Sequence, residues 1–120
     1  MSAKREEETR ADEDVRVPSR RRRNMPTYIA LMNWTQQGMS RIKDSPSRLD
    51  AGRAAFKRMG VEMKDVYMTM GRFDHVCIIE APDDATYAKA VLALGAQGNV
   101  STETLKAFGE DEYRQILGSF

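Results

Sequence analysis

His75 is the one histidine of the chain. Its ordinary pKa lies closest to neutrality of any side chain, which opens a general-base role to it. The plainer reading is a buried imidazole satisfied by a hydrogen bond. Asp74 precedes it, but neighbours in an extended strand point to opposite faces, so the two do not pair within one strand. Cys77 shares a parity with His75. Two ligands are too few for a closed zinc site, and no metal is expected. Asn33 and Trp34 stand together at the end of an apolar run. There the simplest role for Trp34 is packing, with its indole N–H finding an acceptor. Asp74 and Glu80 also share a parity. At about 3.3 Å per residue they stand about 20 Å apart, too far for a paired-carboxylate mechanism. Asp74 follows the Gly71 turn and suits capping of backbone amides.

These residues need elements to position them. Residues 27–34 (TYIALMNW) form a short apolar and aromatic run between Pro26 and a polar stretch, the signature of a buried strand. Residues 35–44 are polar and contain a glycine, so a loop or a single helical turn is expected. Ser45-Pro46 reads as a helix start, with the serine oxygen as cap. Leu49, Gly52, Phe56 and Met59 recur at helical spacing until Gly60 ends the helix. Residues 61–70 and 73–80 suit two strands of a hairpin turning at Gly71-Arg72. Pro82-Asp83-Asp84 ends that pair and caps a second helix, whose apolar stripe reads as Tyr87, Ala88, Val91, Leu92 and Gly95. Residues 99–108 are Thr-rich and read as an edge strand. A terminal helix over 110–120 follows, with Tyr113, Ile116, Leu117 and Phe120 on one face.

The order is β-α-β-β-α-β and then a helix, the split βαβ pattern of ferredoxin-like α+β folds. Right-handed crossovers put both main helices on one face of a four-stranded antiparallel sheet. The first and third strands are apolar on both parities, with Ile29, Leu31, Val76 and Ile78 on the second. A sheet with one wet face alternates more cleanly. The second face is therefore expected to be covered, partly by the terminal helix and otherwise by a second copy of the sheet. The predicted state is a homodimer.

Charge and composition narrow the function. Basic and acidic residues number 19 and 18, so no strong field toward nucleic acid or anionic membrane follows. Residues 1–24 are dense in charge, include the run Arg20–Arg23 and hold little apolar content. A disordered solvated tail is expected there, ahead of a domain over 25–120. Met25-Pro26 opens the first structured segment directly, so a start of translation at Met25 is the alternative expectation for this tail. RNA binding is disfavoured, because the third strand offers only Phe73 where a stacking platform needs several aromatics. No apolar run reaches the roughly 18–20 residues of a membrane span, and the N-terminus lacks an apolar signal core. With Cys77 as the lone cysteine, a cytoplasmic protein is the default expectation. The methionines (Met32, Met39, Met59, Met63, Met68 and Met70 among them) suit core filling or an adaptable pocket.

Together, Asn33-Trp34-Thr35 with Gly38, Lys43-Asp44-Ser45-Pro46, Met70-Gly71-Arg72-Phe73-Asp74, Glu80-Ala81-Pro82-Asp83-Asp84 and Leu94-Gly95 through Gly98-Asn99-Val100 with Thr102-Glu103-Thr104-Leu105 resemble the GYD-domain family. In its glycine-tyrosine-aspartate signature, Phe73 stands here in place of the tyrosine, between Gly71 and Asp74. The resemblance covers about residues 25–120 and implies a dimeric α/β-barrel type with no established activity; no cofactor is expected. At fold level the chain is also similar to small cofactor-independent oxygenases and isomerases. Some barrel oxygenases use asparagine, tryptophan and histidine in a pocket. Chain positions here do not match theirs, so no roles are transferred. The leading expectation is a homodimer binding a small, mostly apolar molecule. The candidate walls are Asn33, Trp34, Tyr67, Thr69, Phe73 and His75. A cofactor-independent enzyme and a ligand-free assembly protein are the alternatives.

Overall fold

A computed structural model describes residues 25–120. The tail expected over residues 1–24 lies outside the described residues. Strand β1 (Thr27–Trp34) leads into a short helix α1 (Gln36–Ser40), a 3-10 turn (Ile42–Asp44) and the long helix α2 (Ser45–Arg58). Strands β2 (Glu62–Met68) and β3 (His75–Glu80) follow, then helix α3 (Asp84–Gly95), strand β4 (Val100–Ala107) and helix α4 (Glu110–Gly118). The sheet order is β2-β3-β1-β4, with every neighbouring pair antiparallel. This is the expected ferredoxin-like α+β architecture, with β4 on an edge and a helix appended after it.

Alternation along β1 sets the layers. Tyr28, Ala30 and Met32 are buried, while Ile29 and Leu31 between them are half-buried. The buried parity faces both long helices: Phe56 of α2, Tyr87 and Ala90 of α3, and Cys77 and Ile79 of β3 join the same core. On α2 the stripe is the expected one, with Gly52 and Phe56 buried and Leu49 and Met59 packed beside them. Gly60 ends the helix at φ 79°, a conformation that costs glycine little. Asp83 caps α3 by accepting from the Thr86 N–H at 2.8 Å.

Several expectations are corrected. Ser45 is not the cap of α2. The 3-10 turn starts the winding earlier, Ser45 is already helical, and its hydroxyl is free for another partner. On α3 the buried stripe is Tyr87, Ala90, Val91 and Leu94, at i, i+3, i+4 and i+7, and Leu92 is 72% exposed. The helix is apolar at nearly every position from Ala90 to Leu94, so spacing alone does not single out a face. In β2, simple alternation fails. A bulge between Met63 and Asp65 leaves Met63 opposite Ile79 and brings Val66 opposite Cys77, so both face the helices. The link from β2 to β3 is longer than a two-residue turn. Gly71 sits in it at φ 140°, and the Thr69 hydroxyl donates to the Phe73 carbonyl at 2.6 Å.

The terminal helix was expected to cover part of the outer sheet face, and it does not. Every residue of α4 is exposed, including Tyr113, Ile116 and Leu117, and Phe120 beyond it is 98% exposed. The register places Ile29, Leu31, Val76, Ile78, Tyr67 and Leu105 together on that outer face.

Candidate functional site

Two side chains meet at the end of β1. Trp34 and His75 both project toward the helices, Trp34 from the last position of β1 and His75 from the first of β3. Their ring centroids lie 4.4 Å apart with the planes at 83°, an edge-to-face contact. Three local bonds fix this geometry. The Trp34 indole N–H donates to Ser45 Oγ at 3.3 Å, so the acceptor expected for the indole is the hydroxyl first assigned to capping. The Trp34 backbone N–H donates to Asp74 Oδ2 at 2.9 Å. The Asp74 backbone N–H in turn donates to Asn33 Oδ1 at 3.0 Å. Asp74 does cap a backbone amide, but on the neighbouring strand rather than in its own turn.

Under the rings lies a cavity of about 80 Å³. Met32, Met63, Val66 and Cys77 form its sheet side, while Leu49, Gly52 and Leu94 close it from the helices. Ser45, Arg48 and Asn99 stand at its polar border. Gly52 is part of the packing that leaves this room: a Cβ there would touch Leu94 Cδ1 at 3.7 Å. His75 Nδ1 is buried and has no hydrogen-bond partner. Burial lowers the His75 pKa below its usual 6.5, and the nearby Asp74 charge opposes that in part. The imidazole is therefore neutral at neutral pH. Cys77, deeper in the cavity, has its thiol pushed up to about 11 by burial.

The α1 turn packs against the loop that leads into β4. Thr35 Oγ1 accepts from the Gly38 N–H at 3.1 Å and donates to the Gly98 carbonyl at 2.6 Å. The Thr35 N–H donates to the Asn99 carbonyl at 3.0 Å. The approach is so close that a Cβ on Gly38 would lie 2.2 Å from the Asn99 oxygen. Next to the cavity is a polar cleft of about 490 Å³ lined by Gln37, Arg41, Asp44, Ser47, Arg48 and Asn99.

Of the six side chains expected as pocket walls, the structure brings Trp34 and His75 together on the cavity. Asn33 and Tyr67 take the opposite parity and face the outer side of the sheet. Thr69 and Phe73 belong to the β2–β3 link, where the Arg72 guanidinium lies 5.0 Å over the Phe73 ring. Gly71, Phe73 and Asp74 thus shape the link that delivers His75. Sequence reasoning missed Ser45, Arg48, Leu94 and Asn99. The helical period from Leu49 could have pointed to Ser45, one turn before it on the same face. Asn99 carried no signal, since its place depends on the close packing against Gly38.

A second polar cluster sits at the other end of β1. Tyr28 and Tyr87 stack at 4.1 Å, the Tyr28 hydroxyl donates to Asp84 Oδ1 at 2.5 Å, and Lys106 pairs with the same carboxylate at 2.8 Å. Burial first, then the bond to Asp84, raises the Tyr28 pKa. All these polar ends are satisfied, so this cluster reads as a clamp between β1, α3 and β4. Among the described residues, no group of three or more His, Cys, Asp or Glu side chains is placed to hold a metal ion. Nor is any helix among them long and apolar enough to cross a membrane.

Comparison with known proteins agrees with this architecture. A family model for the GYD domain matches residues 28–117. A Thermus thermophilus protein named "Glutamine synthetase and cystathionine beta-lyase binding protein" is 37% identical over 84 residues, covering 69% of this chain and 88% of its own length. Among solved structures, a feast or famine regulatory protein from M. tuberculosis complexed with L-methionine superimposes with a TM-score of 0.60 at 12% identity, over 90% of this chain. MtbAldR does so with a TM-score of 0.57 at 16% identity, over 72% of this chain. The chain spans 63% and 55% of the length of those two solved chains, respectively. At such identities the likeness is one of fold.

Proposed function

Since this chain belongs to the GYD-domain family, we propose that it is a homodimeric binding module that holds a small, mostly apolar molecule beneath Trp34 and His75. One observation carries the reading: an apolar cavity lined by Trp34 and His75, the latter with a buried, unpartnered ring nitrogen, Nδ1. Buried polar atoms in folded proteins are nearly always satisfied, and an apolar cavity with a few polar groups at its border matches the make-up of ligand sites. The size of the cavity suits a short chain or a single ring. The relative from Thermus is itself named as a binding protein, and the feast or famine protein of the same fold was solved with an amino acid bound.

The homodimer rests on the outer face. Ile29, Leu31, Val76 and Ile78 form its centre, and α4 leaves them uncovered. A second copy meeting this face about a twofold axis presents the same residues in return. Native mass spectrometry of freshly purified protein tests both parts at once. Twice the chain mass with a small molecule retained is the expected spectrum. An empty monomer at micromolar concentration would remove the proposal.

A second reading is favoured by the bare apolar stripe of α4: a ligand-free assembly role in which that helix docks on another protein, as the name of the Thermus relative describes for its own case. Removal of residues 109–120 separates the two, since it abolishes docking and leaves the cavity intact. An oxygenase- or isomerase-like activity would instead show as turnover lost in His75→Ala or Trp34→Phe with folding preserved.

A further inference from the structure

We infer that the molecule held in this cavity is a small apolar carboxylic acid, its hydrocarbon body under Trp34 and its carboxylate in the polar cleft at Arg48. This rests on the cavity being a binding site and goes on to name the ligand class. The cavity and the cleft are adjoining spaces, because Arg48 and Asn99 line both. A molecule filling both must change from apolar to polar at that border.

The polar part faces a net positive charge. Arg41 and Arg48 line the cleft against the single carboxylate of Asp44. Arg41 Nε already pairs with Asp44 Oδ2 at 3.0 Å. Arg48 is different. Its two terminal nitrogens donate to the backbone carbonyls of Arg41 and Gly38 at 3.0 and 3.2 Å. Those bonds fix the plane of the guanidinium without neutralising it, and they leave other members of its five donors unused. A pre-positioned planar fork of this kind suits a carboxylate. The cleft also lies at the start of α2, a helix of 14 residues whose Asp44 side chain provides no cap bond. The positive end of the helix dipole there adds to the attraction for an anion. The excess of one positive charge matches a monoanion better than a phosphate dianion. The 80 Å³ cavity limits the body to a short aliphatic chain or one ring.

Trp34 is the only tryptophan, so its emission reports directly on the cavity. The full chain is titrated with two matched pairs: hexanoate against hexan-1-ol, and benzoate against benzyl alcohol. Saturable changes in emission are expected, with the acid of at least one pair bound about tenfold more tightly than its alcohol. Arg48→Gln should bring acid and alcohol together, Arg48→Lys should retain part of the preference, and circular dichroism confirms that each variant is folded. If Arg48→Gln does not fold, Arg41→Gln and added salt provide the readout, each narrowing the gap. Equal binding of acid and alcohol overturns the carboxylate assignment and leaves the cavity as a site. No change with any of the four probes removes the binding reading itself.

Discussion

Asn33 and Asp74 tie together the ends of two adjacent strands: Asn33 Oδ1 accepts the Asp74 N–H, and Asp74 Oδ2 accepts the N–H of Trp34, the residue after Asn33. Each bond belongs to the residue immediately before one of the two rings of the site. The pair therefore sets the edge-to-face angle of Trp34 and His75 while pointing away from the cavity. Asn33 is a positioning residue here, in place of the wall it was expected to form.

Replacing Asp74 separates its two roles. Asp74→Asn keeps an oxygen for the Trp34 N–H but removes the negative charge that partly supports protonation of His75. The His75 pKa should fall further, seen by NMR titration of the single histidine resonance, with little loss of stability. Asp74→Ala leaves the amide without its acceptor and should cost about 1–2 kcal/mol in urea unfolding.

His75 makes stability depend on pH in a defined window. Its folded pKa lies below 6.5, and burial is the main cause. Above 6.5 both folded and unfolded imidazoles are neutral, and the contribution is fully present. As pH falls through 6.5 the unfolded state takes up the proton first, so stability declines until the folded pKa is passed. Asp83 and Asp84, both held below 3.8, act in a lower window. Urea midpoints measured between about pH 5 and 8 should fall toward acid in the parent and stay level in His75→Gln. Equal slopes in the two proteins would contradict the burial of this group.

The Cys77 thiol, 2% exposed and with its pKa pushed up to about 11, should resist alkylation in the native state. Thiol reagents at neutral pH are expected to react at the rate of opening rather than at the rate of a free cysteine. A ligand in the adjoining cavity should slow that reaction further. Fast native-state labelling would show that the core around Cys77 opens readily.

The proposed dimer predicts a double effect from one substitution. Leu31→Asp puts a charge at the centre of the outer face on each copy, and twofold symmetry brings the two into one interface. Light scattering should show a shift to monomer, with the far-ultraviolet circular dichroism retained. Arg58→Glu, at the exposed end of α2, should leave the assembly unchanged.

Much of the frame is legible in the sequence. Apolar runs bounded by Pro26, Gly60, Gly71 and Pro82 mark strands and helix ends, because chain reversals need the backbone chemistry those residues supply. What failed was facing. α3 is apolar almost all round, so Leu92 was placed inward and Leu94 overlooked. Ser45 looks like a cap in any local reading, and only the approach of Trp34 from another strand gives its hydroxyl a different partner. The cavity was expected from walls of mixed parity, yet the register sends Asn33 and Tyr67 to one side of the sheet and Trp34 and His75 to the other. The cleft at Arg48 depends on α1 lying against Asn99, a contact between distant segments that no spacing encodes.

The bulge in β2 has a consequence for how this gene can change. Lys64 is the extra residue, and pairing is already in step on both sides of it, Met63 with Ile79 and Asp65 with Ile78. Loss of that one codon would straighten the strand while Val66 stayed turned toward the helices. Loss of the codon just after Asp65 would instead remove Val66 and turn Tyr67 toward the helices in its place. One-residue length variation in descendants of this sequence should therefore gather at position 64, where the fold has a spare.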